Sequence, residues 1–248
     1  MRNLYQIRRQ VVISSILGDL PTDSKVCLPV TCLIFGVSGS FSFQTDDGKA
    51  VDGNCFFVEA DITYKVTPSG CKGFVIIFFD AVSSEHYFLS TKYKGSKVVK
   101  LDWNVNEALL SKAFLKLNEV EIGNFLNDLF TELFGKERKS ISHQFDKRII
   151  LIDGYIRKNL REKISNKELA AKIHLSESRF YHFFKEQTHV SVSRYIMWLR
   201  LKTIFERYFE AEGKLNALLD LTNFTDLSHF IKAFKSFFGE SPKRLLNK

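Results

Sequence analysis

Two stretches of the chain repeat each other at an offset of fifty residues. The first, SESRFYHFFK, covers Ser176–Lys185, and the second, LSHFIKAFK, covers Leu227–Lys235. Within each copy the phenylalanines are spaced to fall on one face of a helix, and short polar residues and a lysine fall on the other. This pattern predicts a pair of like-built helices, each buried on one side. The residues that the offset aligns are Ser178 with Ser228, Phe180 with Phe230, Phe184 with Phe234, and Lys185 with Lys235.

Each copy follows a short apolar helix and a tight turn, the outline of a helix-turn-helix. Before the first copy, Ser165 and Glu168 predict a capping box, and Ser176 is placed to cap the second helix. One long helix is predicted over Ser193–Glu210. At 1.5 Å per residue it measures roughly 27 Å, enough to hold two recognition helices about one turn of DNA apart. The predicted second unit contains Leu215, Leu218 and Leu219, a turn at Asn223–Thr225, and a helix over Asp226–Phe238.

The charge of the chain is divided unevenly. Residues 1–145 contain 16 Lys+Arg and 16 Asp+Glu, whereas residues 146–248 contain 20 and 12, so the whole net charge of +8 lies in the last hundred residues. Such asymmetry indicates a polyanionic partner for one half of the chain. The plainer alternative is a basic domain that is merely soluble.

The first hundred residues predict a β-rich domain. Segments rich in Val, Ile, Phe and Thr alternate with turn sequences such as Asp47-Gly48 and Lys94-Gly95. Without a helical period between them, they predict an antiparallel sandwich or small barrel. Its aromatic side chains either fill the core or line an apolar effector pocket. The predicted strands are Val11–Ile16, Val30–Val37, Gly39–Gln44, Cys55–Val58, Thr63–Val66, Gly73–Phe79 and His86–Ser90.

Two helices are predicted after the strands. Leu109, Leu110, Phe114 and Leu117 fall on one side of the first. The second has a stripe that either covers the β-rich domain or forms a dimer seam. The stripe consists of Ile122, Leu126, Leu129 and Leu133. The predicted organisation is a β-rich regulatory domain over residues 1–103, a helical dimerisation segment over 104–134, a linker over 135–145, and an all-α domain over 146–248.

Catalytic and metal chemistry are not expected. Cys27, Cys32, Cys55 and Cys71 contain no CxxC pair, and the first half has two histidines, His86 and His143. We therefore expect buried thiols, no metal and no cofactor. The N-terminus has no apolar core of a signal peptide, and the longest apolar run, Phe74–Phe79, is too short to cross a bilayer. These features predict a cytoplasmic protein with no membrane contact.

From Asp146 onward the chain resembles the DNA-binding domain of the AraC/XylS family of bacterial transcription regulators. The resemblance lies in Glu168-Leu-Ala170, Tyr195, Arg200-Leu201 and the two repeated stretches, the second extended to Ser241-Pro242. Asn223 and His189 stand where the family usually has glycine, and Leu219 where it has a small residue. The resemblance implies two helix-turn-helix units behind a β-domain, often cupin-like, that senses an effector and commonly dimerises.

The resemblance also implies the site. The exposed early positions of each recognition helix would touch bases, since Arg, Ser, His and Leu match groups at base edges. Later lysines and the caps would hold phosphates, which position the protein. The implied base contacts are Ser178, Arg179, Tyr181 and His182 in the first unit, and Leu227, Ser228, His229 and Lys232 in the second. The implied phosphate contacts are Ser176, Lys185, Arg200, Thr225 and Lys235. For Arg200, pairing inside the long helix that joins the two units is an equal alternative.

The function expected from these residues is regulation of transcription, as an activator that reads two adjacent major grooves and is not an enzyme. Its expected partners are promoter DNA, RNA polymerase, a small-molecule or protein effector and a second copy of the chain. One alternative is a DNA-binding protein without effector sensing. Others are an alkylation-repair enzyme, although the metal-bound cysteine spacing that such repair uses is missing, and an architectural or RNA-binding basic protein.

Overall fold

The computed structural model describes residues 2–7, 10–16, 25–104, 106–135, 137, 144–208 and 218–242. For residues 2–7, 10–16, 206 and 208 only the backbone is described. The chain divides into two compact units, residues 1–143 and 144–248. The division falls within the segment predicted as a linker, and the predicted helical segment belongs to the first unit.

The described residues of the first unit form two antiparallel sheets. One has six strands in the order β1-β2-β9-β4-β7-β10, and the other has four in the order β3-β8-β5-β6. The described strands outside those predicted are β1, β3, β6 and β10. The strands are β1 Arg2–Ile7, β2 Gln10–Ile16, β3 Val26–Cys27, β4 Thr31–Val37, β5 Ser40–Thr45, β6 Ala50–Gly53, β7 Cys55–Val58, β8 Thr63–Ser69, β9 Gly73–Phe79 and β10 Val98–Lys100.

The six-stranded sheet lies between the four-stranded sheet and a layer of helices. On one side, Phe43 of β5 contacts Phe56 of β7, with ring centroids 4.4 Å apart. On the other side, Phe57 and Phe79 belong to the core that includes the helices. Central strands β4, β7 and β9 are therefore apolar on both faces, and each reads as an almost continuous apolar run rather than an alternating one.

The predicted strand His86–Ser90 is wrong, because the residues lie in helix α1, Ser84–Lys92. The side chain of Ser83 caps this helix by accepting from the His86 backbone N–H. His86, Leu89 and Ser90 are buried, which is a helical spacing of three and four. Tyr87 and Phe88 favour strands by propensity, but the local cap and the buried face outweigh that preference.

The helices after β10 also differ from the prediction. The first is a short α2, Glu107–Ser111, followed by a 3-10 turn over Lys112–Phe114 and an extended Leu115. Leu117 therefore lies beyond this helical stretch. The second, α3, covers Glu119–Phe134 and begins with a full capping box between Asn118 and Glu121.

The α3 stripe is buried within its own unit. Ile122, Leu126 and Leu129 are at most 7% exposed and belong to the core shared with the six-stranded sheet, and Leu133 packs against that core partly buried. This corrects the expectation of a dimer seam, because side chains already covered by their own sheet offer no apolar surface to a partner. The stripe covers the β-rich domain, the alternative that the sequence left open.

The second unit is helical throughout its described residues. Its helices are α4 Lys147–Lys158, α5 Asn166–Lys172, α6 Glu177–Thr188, α7 Val192–Tyr208 and α8 Leu227–Phe238, with residues 218–219 also helical. The predicted Leu215 lies outside the described residues. Only half of the predicted capping box forms: Ser165 accepts from the Glu168 N–H, but the Glu168 carboxylate accepts from the Tyr155 hydroxyl.

Helix α7 is the support on which α6 and α8 both pack. Its Tyr195 ring lies 5.7 Å from that of Phe184 on α6, and its Phe205 ring lies 5.4 Å from that of Phe234 on α8. Tyr195 also donates to the buried Asp153 of α4 at 2.5 Å. These contacts connect α4, α6 and α8 through a single helix.

Within the described residues, no helix is both long and apolar enough to cross a bilayer. The same part of the chain holds no group of three or more His, Cys, Asp or Glu arranged to bind a metal ion.

Candidate nucleic-acid interface

Helix α6 exposes the four residues predicted to contact bases. Ser178, Arg179, Tyr181 and His182 are all exposed, and Tyr181 presents 39% of its surface. The Tyr181 and His182 rings meet edge to face with centroids 5.5 Å apart, which holds two polar rings side by side on the outer face. The helix therefore presents a guanidinium, two hydroxyls and an imidazole together, the groups that read base edges in a major groove.

The opposite face of α6 fixes its orientation. Phe180 and Phe184 are fully buried, with ring centroids 6.0 Å apart. Phe183 is half-buried and stacks beneath the Arg148 guanidinium of α4 at 4.3 Å. A helix anchored along one face in this way keeps its outer face pointing in one direction.

Helix α8 repeats the arrangement with different chemistry. Leu227, Ser228 and Lys232 are exposed, whereas His229 is half-buried. The His229 ring lies edge to face on Phe224, with centroids 5.2 Å apart, and its Nδ1 is 3.4 Å from the Thr225 hydroxyl. His229 is thus held by its own turn, and the freely presented groups are an isobutyl side chain, a hydroxyl and an ammonium.

Short local signals start and stop both helices. Ser176 accepts from the Arg179 N–H, and Asp226 accepts from the His229 N–H. At the other ends, His189 and Gly239 adopt left-handed conformations, with φ of 60° and 70°. His189 adopts this conformation at a steric cost that glycine would avoid. The matched caps give α6 and α8 the same length of twelve residues.

The capping carboxylate at α8 was not predicted as part of the site. Hydrogen bonding from the His229 N–H, ahead of other effects, lowers the pKa of Asp226, so its carboxyl stays charged. In α6, Glu177 adds an acid to the first turn. Negative charge at both helix starts opposes phosphate there, and it favours the later lysines as phosphate contacts.

Four of the five predicted phosphate contacts are exposed. Lys185 and Lys235 stand in the last turns of α6 and α8 with exposed side chains. Ser176 and Thr225 are exposed as well, although their hydroxyls take part in the turns that precede the helices. The lysines are the members of this set that present a charge to solvent.

Arg200 does not lie on the surface and is a correction to the predicted set. Its side chain is buried, with 8% of the residue exposed. Its Nε donates to the Leu160 carbonyl at 3.1 Å, and its Nη2 donates to the Glu162 carbonyl at 2.8 Å. Burial lowers the pKa of the Arg200 guanidinium. A cation occupied with two backbone carbonyls is not available to a phosphate.

Asn223 lies on the same loop from the other side. Its backbone N–H donates to the Leu160 carbonyl at 3.1 Å, and its Nδ2 donates to the Arg161 carbonyl at 3.2 Å. Its place in the sequence marked it only as a substitute for glycine, and Asn223 is not among the residues with positive φ. The sequence contained no signal for this contact, because it joins residues more than sixty positions apart.

Comparison with known proteins agrees with this geometry. Residues 169–248 match the family model of a helix-turn-helix domain. A protein of Photobacterium leiognathi named as a probable transcriptional regulator, LumQ, is 34% identical over 96 residues, which is 39% of each chain. This chain spans less than half the length of the curated relatives that it matches.

The fold of the whole chain is similar to that of ToxT from Vibrio cholerae. One ToxT structure superimposes with a TM-score of 0.64 at 12% identity, covering 97% of this chain and 98% of that one. A second, of ToxT bound to an unsaturated fatty acid, has a TM-score of 0.59 at 14% identity and covers 98% and 93%. The arrangement of a β-rich unit followed by a helical unit is thus shared along the whole length. The family match assigns a helix-turn-helix domain to the second unit of this chain, and the likeness to ToxT is one of fold.

Proposed function

We propose that the protein is a sequence-specific regulator of transcription that reads two adjacent major grooves of double-stranded DNA with α6 and α8. The observation that carries the proposal is the contrast between the two faces of each helix. Phe180, Phe184, Phe230 and Phe234 are buried, and the intervening polar positions are exposed. The unit that holds both helices also carries the whole excess of positive charge.

The exposed groups divide into those that specify and those that position. Arg179 is exposed near the start of α6, and an arginine at such a place can hold the O6 and N7 of a guanine together. Lys235 is exposed near the end of α8, where contact with a phosphate is indifferent to sequence. Because the roles differ, substitution of the two residues is expected to reduce DNA affinity in different ways.

The test measures the affinity of the full chain for a duplex selected from a random pool and for a scrambled version of that duplex. Arg179→Ala is expected to weaken selected binding by about 1–3 kcal/mol and to relax the preference at one base pair. Lys235→Ala is expected to weaken both duplexes alike and to reduce the salt dependence by about one phosphate contact.

Arg207→Ala serves as the matched control, since Arg207 is an exposed arginine of the same unit but lies on α7. It should leave the preference between the duplexes unchanged. Equal losses on both duplexes for Arg179→Ala would remove Arg179 from base recognition. A wild-type chain that enriches no sequence would refute the proposed function, and flat affinity for all duplexes would favour an architectural role.

We further propose that the first unit controls DNA binding in response to an effector. The support is the likeness of fold to ToxT, one of whose structures holds an unsaturated fatty acid. A long-chain unsaturated fatty acid is therefore the first probe, and its saturated analogue is the control. The readout is the affinity for the selected duplex with and without the probe, because a coupled effector must change that affinity. No change would favour control by a protein partner or constitutive binding.

The output proposed is activation, with RNA polymerase and a second copy of the chain as partners. Transcription is measured from a template that carries the selected duplex upstream of a promoter, with and without the protein. An increase supports activation, and a decrease means repression. Sedimentation across a range of concentrations decides the oligomeric state. A dimer would have to use a surface other than the apolar face of α3, which is buried in its own unit.

A further inference from the structure

Three parts of the second unit meet at the loop after α4. This loop leads into α5, the first helix of the first helix-turn-helix. Arg200 comes from the middle of α7, and Asn223 comes from the turn before α8. We define the 160–162 junction as the carbonyls of Leu160, Arg161 and Glu162 together with the groups of Arg200 and Asn223 that bind them.

Two of the four hydrogen bonds of the 160–162 junction share one acceptor atom. The Leu160 carbonyl accepts from the Arg200 Nε at 3.1 Å and from the Asn223 backbone N–H at 3.1 Å. The neighbouring carbonyls each take one further bond, from Arg200 to Glu162 and from Asn223 to Arg161. Helix α7 and the turn before α8 are thereby both tied to the peptide segment that precedes α5.

The chemistry of Arg200 suits this position. A guanidinium has donors in a fixed fork and can hold two acceptors at once in one plane, which a lysine ammonium on a flexible stem cannot. The carbonyls lie just past the C-terminus of α4, where the partial negative charge of the helix favours a cation. Because Arg200 is buried, water competes poorly for these bonds.

Apolar contact alone constrains the orientation of α8 less. Its rings pack on α7 through Phe205, which contacts Phe234 and Phe238 of α8 with centroids 5.4 and 5.3 Å away. Packing of this kind holds two helices together, but it is not directional. Directional bonds at the 160–162 junction fix the turn before α8 against the entry to α5, and so set the angle between the two helix-turn-helix elements of the second unit.

We propose that Arg200 and Asn223 are positioning residues that fix the spacing and angle between the two recognition helices, so that the protein discriminates the distance between its two half-sites. The inference rests on the proposed reading of two grooves. Arg200 touches no DNA in this scheme; it acts through the loop that it holds.

The experiment measures spacing selectivity with the full chain. The probe is the duplex that the wild-type chain selects from a random pool, with a second version that carries one extra base pair between the protected half-sites. One base pair rotates the second half-site by about 35° and moves it about 3.4 Å along the axis. The wild-type chain is expected to bind the lengthened duplex about tenfold more weakly, as expected when one half of a site is misaligned.

Arg200→Met keeps the apolar stem and removes both side-chain bonds. The ratio of affinities for the two duplexes is expected to fall below about threefold. A more loosely connected pair of helices α6 and α8 would tolerate the extra base pair. Arg200→Lys keeps the charge but not the fork, so it should behave like Arg200→Met. The matched control is Arg207→Met on the exposed side of α7, which should keep the wild-type ratio.

The outcomes separate the two proposals. A wild-type chain that selects no duplex refutes the proposed function and the present inference together. Selection followed by an undiminished ratio in Arg200→Met, or full recovery in Arg200→Lys, overturns the inference alone, because the forked pair of bonds from Arg200 would then not set the ratio. If the Arg200 variants do not fold, Asn223→Ala carries the test, since it removes only the Nδ2 bond to Arg161. It should reduce the ratio at least twofold, and an unchanged ratio overturns the inference.

Discussion

Asp153, Arg157 and Tyr195 form a hydrogen-bonded group that makes the sharpest prediction about stability, with Asp153 and Tyr195 buried and Arg157 half-buried. Tyr195 is fully buried, and its hydroxyl donates to Asp153 Oδ1 at 2.5 Å. The Arg157 Nη2 donates to that hydroxyl at 2.8 Å, and its Nε donates to Asp153 Oδ1 at 2.9 Å. The phenolic hydroxyl, the guanidinium and the carboxylate therefore all bond to one another.

Tyr195→Phe removes the hydroxyl and changes little else. Asp153 is 2% exposed, so its carboxylate cannot recover the lost bond from water, although Arg157 remains to neutralise it. A hydrogen bond to a charged group contributes about 1.5–3 kcal/mol, and we expect the free energy of unfolding to fall by about 2 kcal/mol. With a slope of about 2 kcal/mol per molar, the urea midpoint of the second unit should fall by about 1 M.

Tryptophan fluorescence in urea can follow this unit separately. The chain has two tryptophans, of which Trp198 is buried on α7 and Trp103 lies in the first unit against Phe35. In a Trp103→Phe background the signal reports on the second unit alone. Tyr181→Phe is the matched control, because the same hydroxyl is removed from an exposed position, and it should change stability by less than about 0.5 kcal/mol. Equal urea midpoints for the two variants would refute the stabilising role given to the Tyr195 hydroxyl.

Two further predictions concern the backbone and the thiols. His189→Gly should stabilise the second unit by about 1 kcal/mol, because glycine adopts the left-handed conformation at φ 60° without the steric cost that histidine has. Destabilisation in the same urea assay would mean that the imidazole contributes more to stability than the strain costs. Burial raises the pKa of Cys32 to about 12 and that of Cys71 to about 11, and it also raises the pKa of Cys55. A thiol-reactive dye should therefore modify the half-buried Cys27 first in the native protein and all four cysteines only after unfolding; rapid modification of Cys32 in the native state would contradict the buried environment.

Much of the candidate nucleic-acid interface followed from the sequence because its signals are local. The spacing of Phe180 and Phe184 marks a buried face over four residues, and the exposed positions between them follow from the helical period. Ser176 and Asp226 start their helices by bonds to residues three positions away. Gly239 ends α8 through its own backbone conformation. None of these features depends on which other part of the chain lies nearby.

The tertiary structure decided what the long and apolar side chains contact. The stripe of α3 had the same apolar character whether a sheet or a partner covered it. Only the fold placed Leu129 in the same core as Phe79 of the six-stranded sheet. Glu168 left its predicted capping role because the Tyr155 hydroxyl lies within its reach.

Arg200 is the clearest case of this division. Its positive charge suggested contact with a DNA phosphate. In the fold it is buried and donates to the carbonyls of Leu160 and Glu162 instead. Sequence by itself determined where helices begin, where they end and which faces are apolar, because those properties arise within a few residues. Which surface covers a face, and which acceptor a long side chain reaches, depends on segments far apart in the chain, and only their packing supplies that.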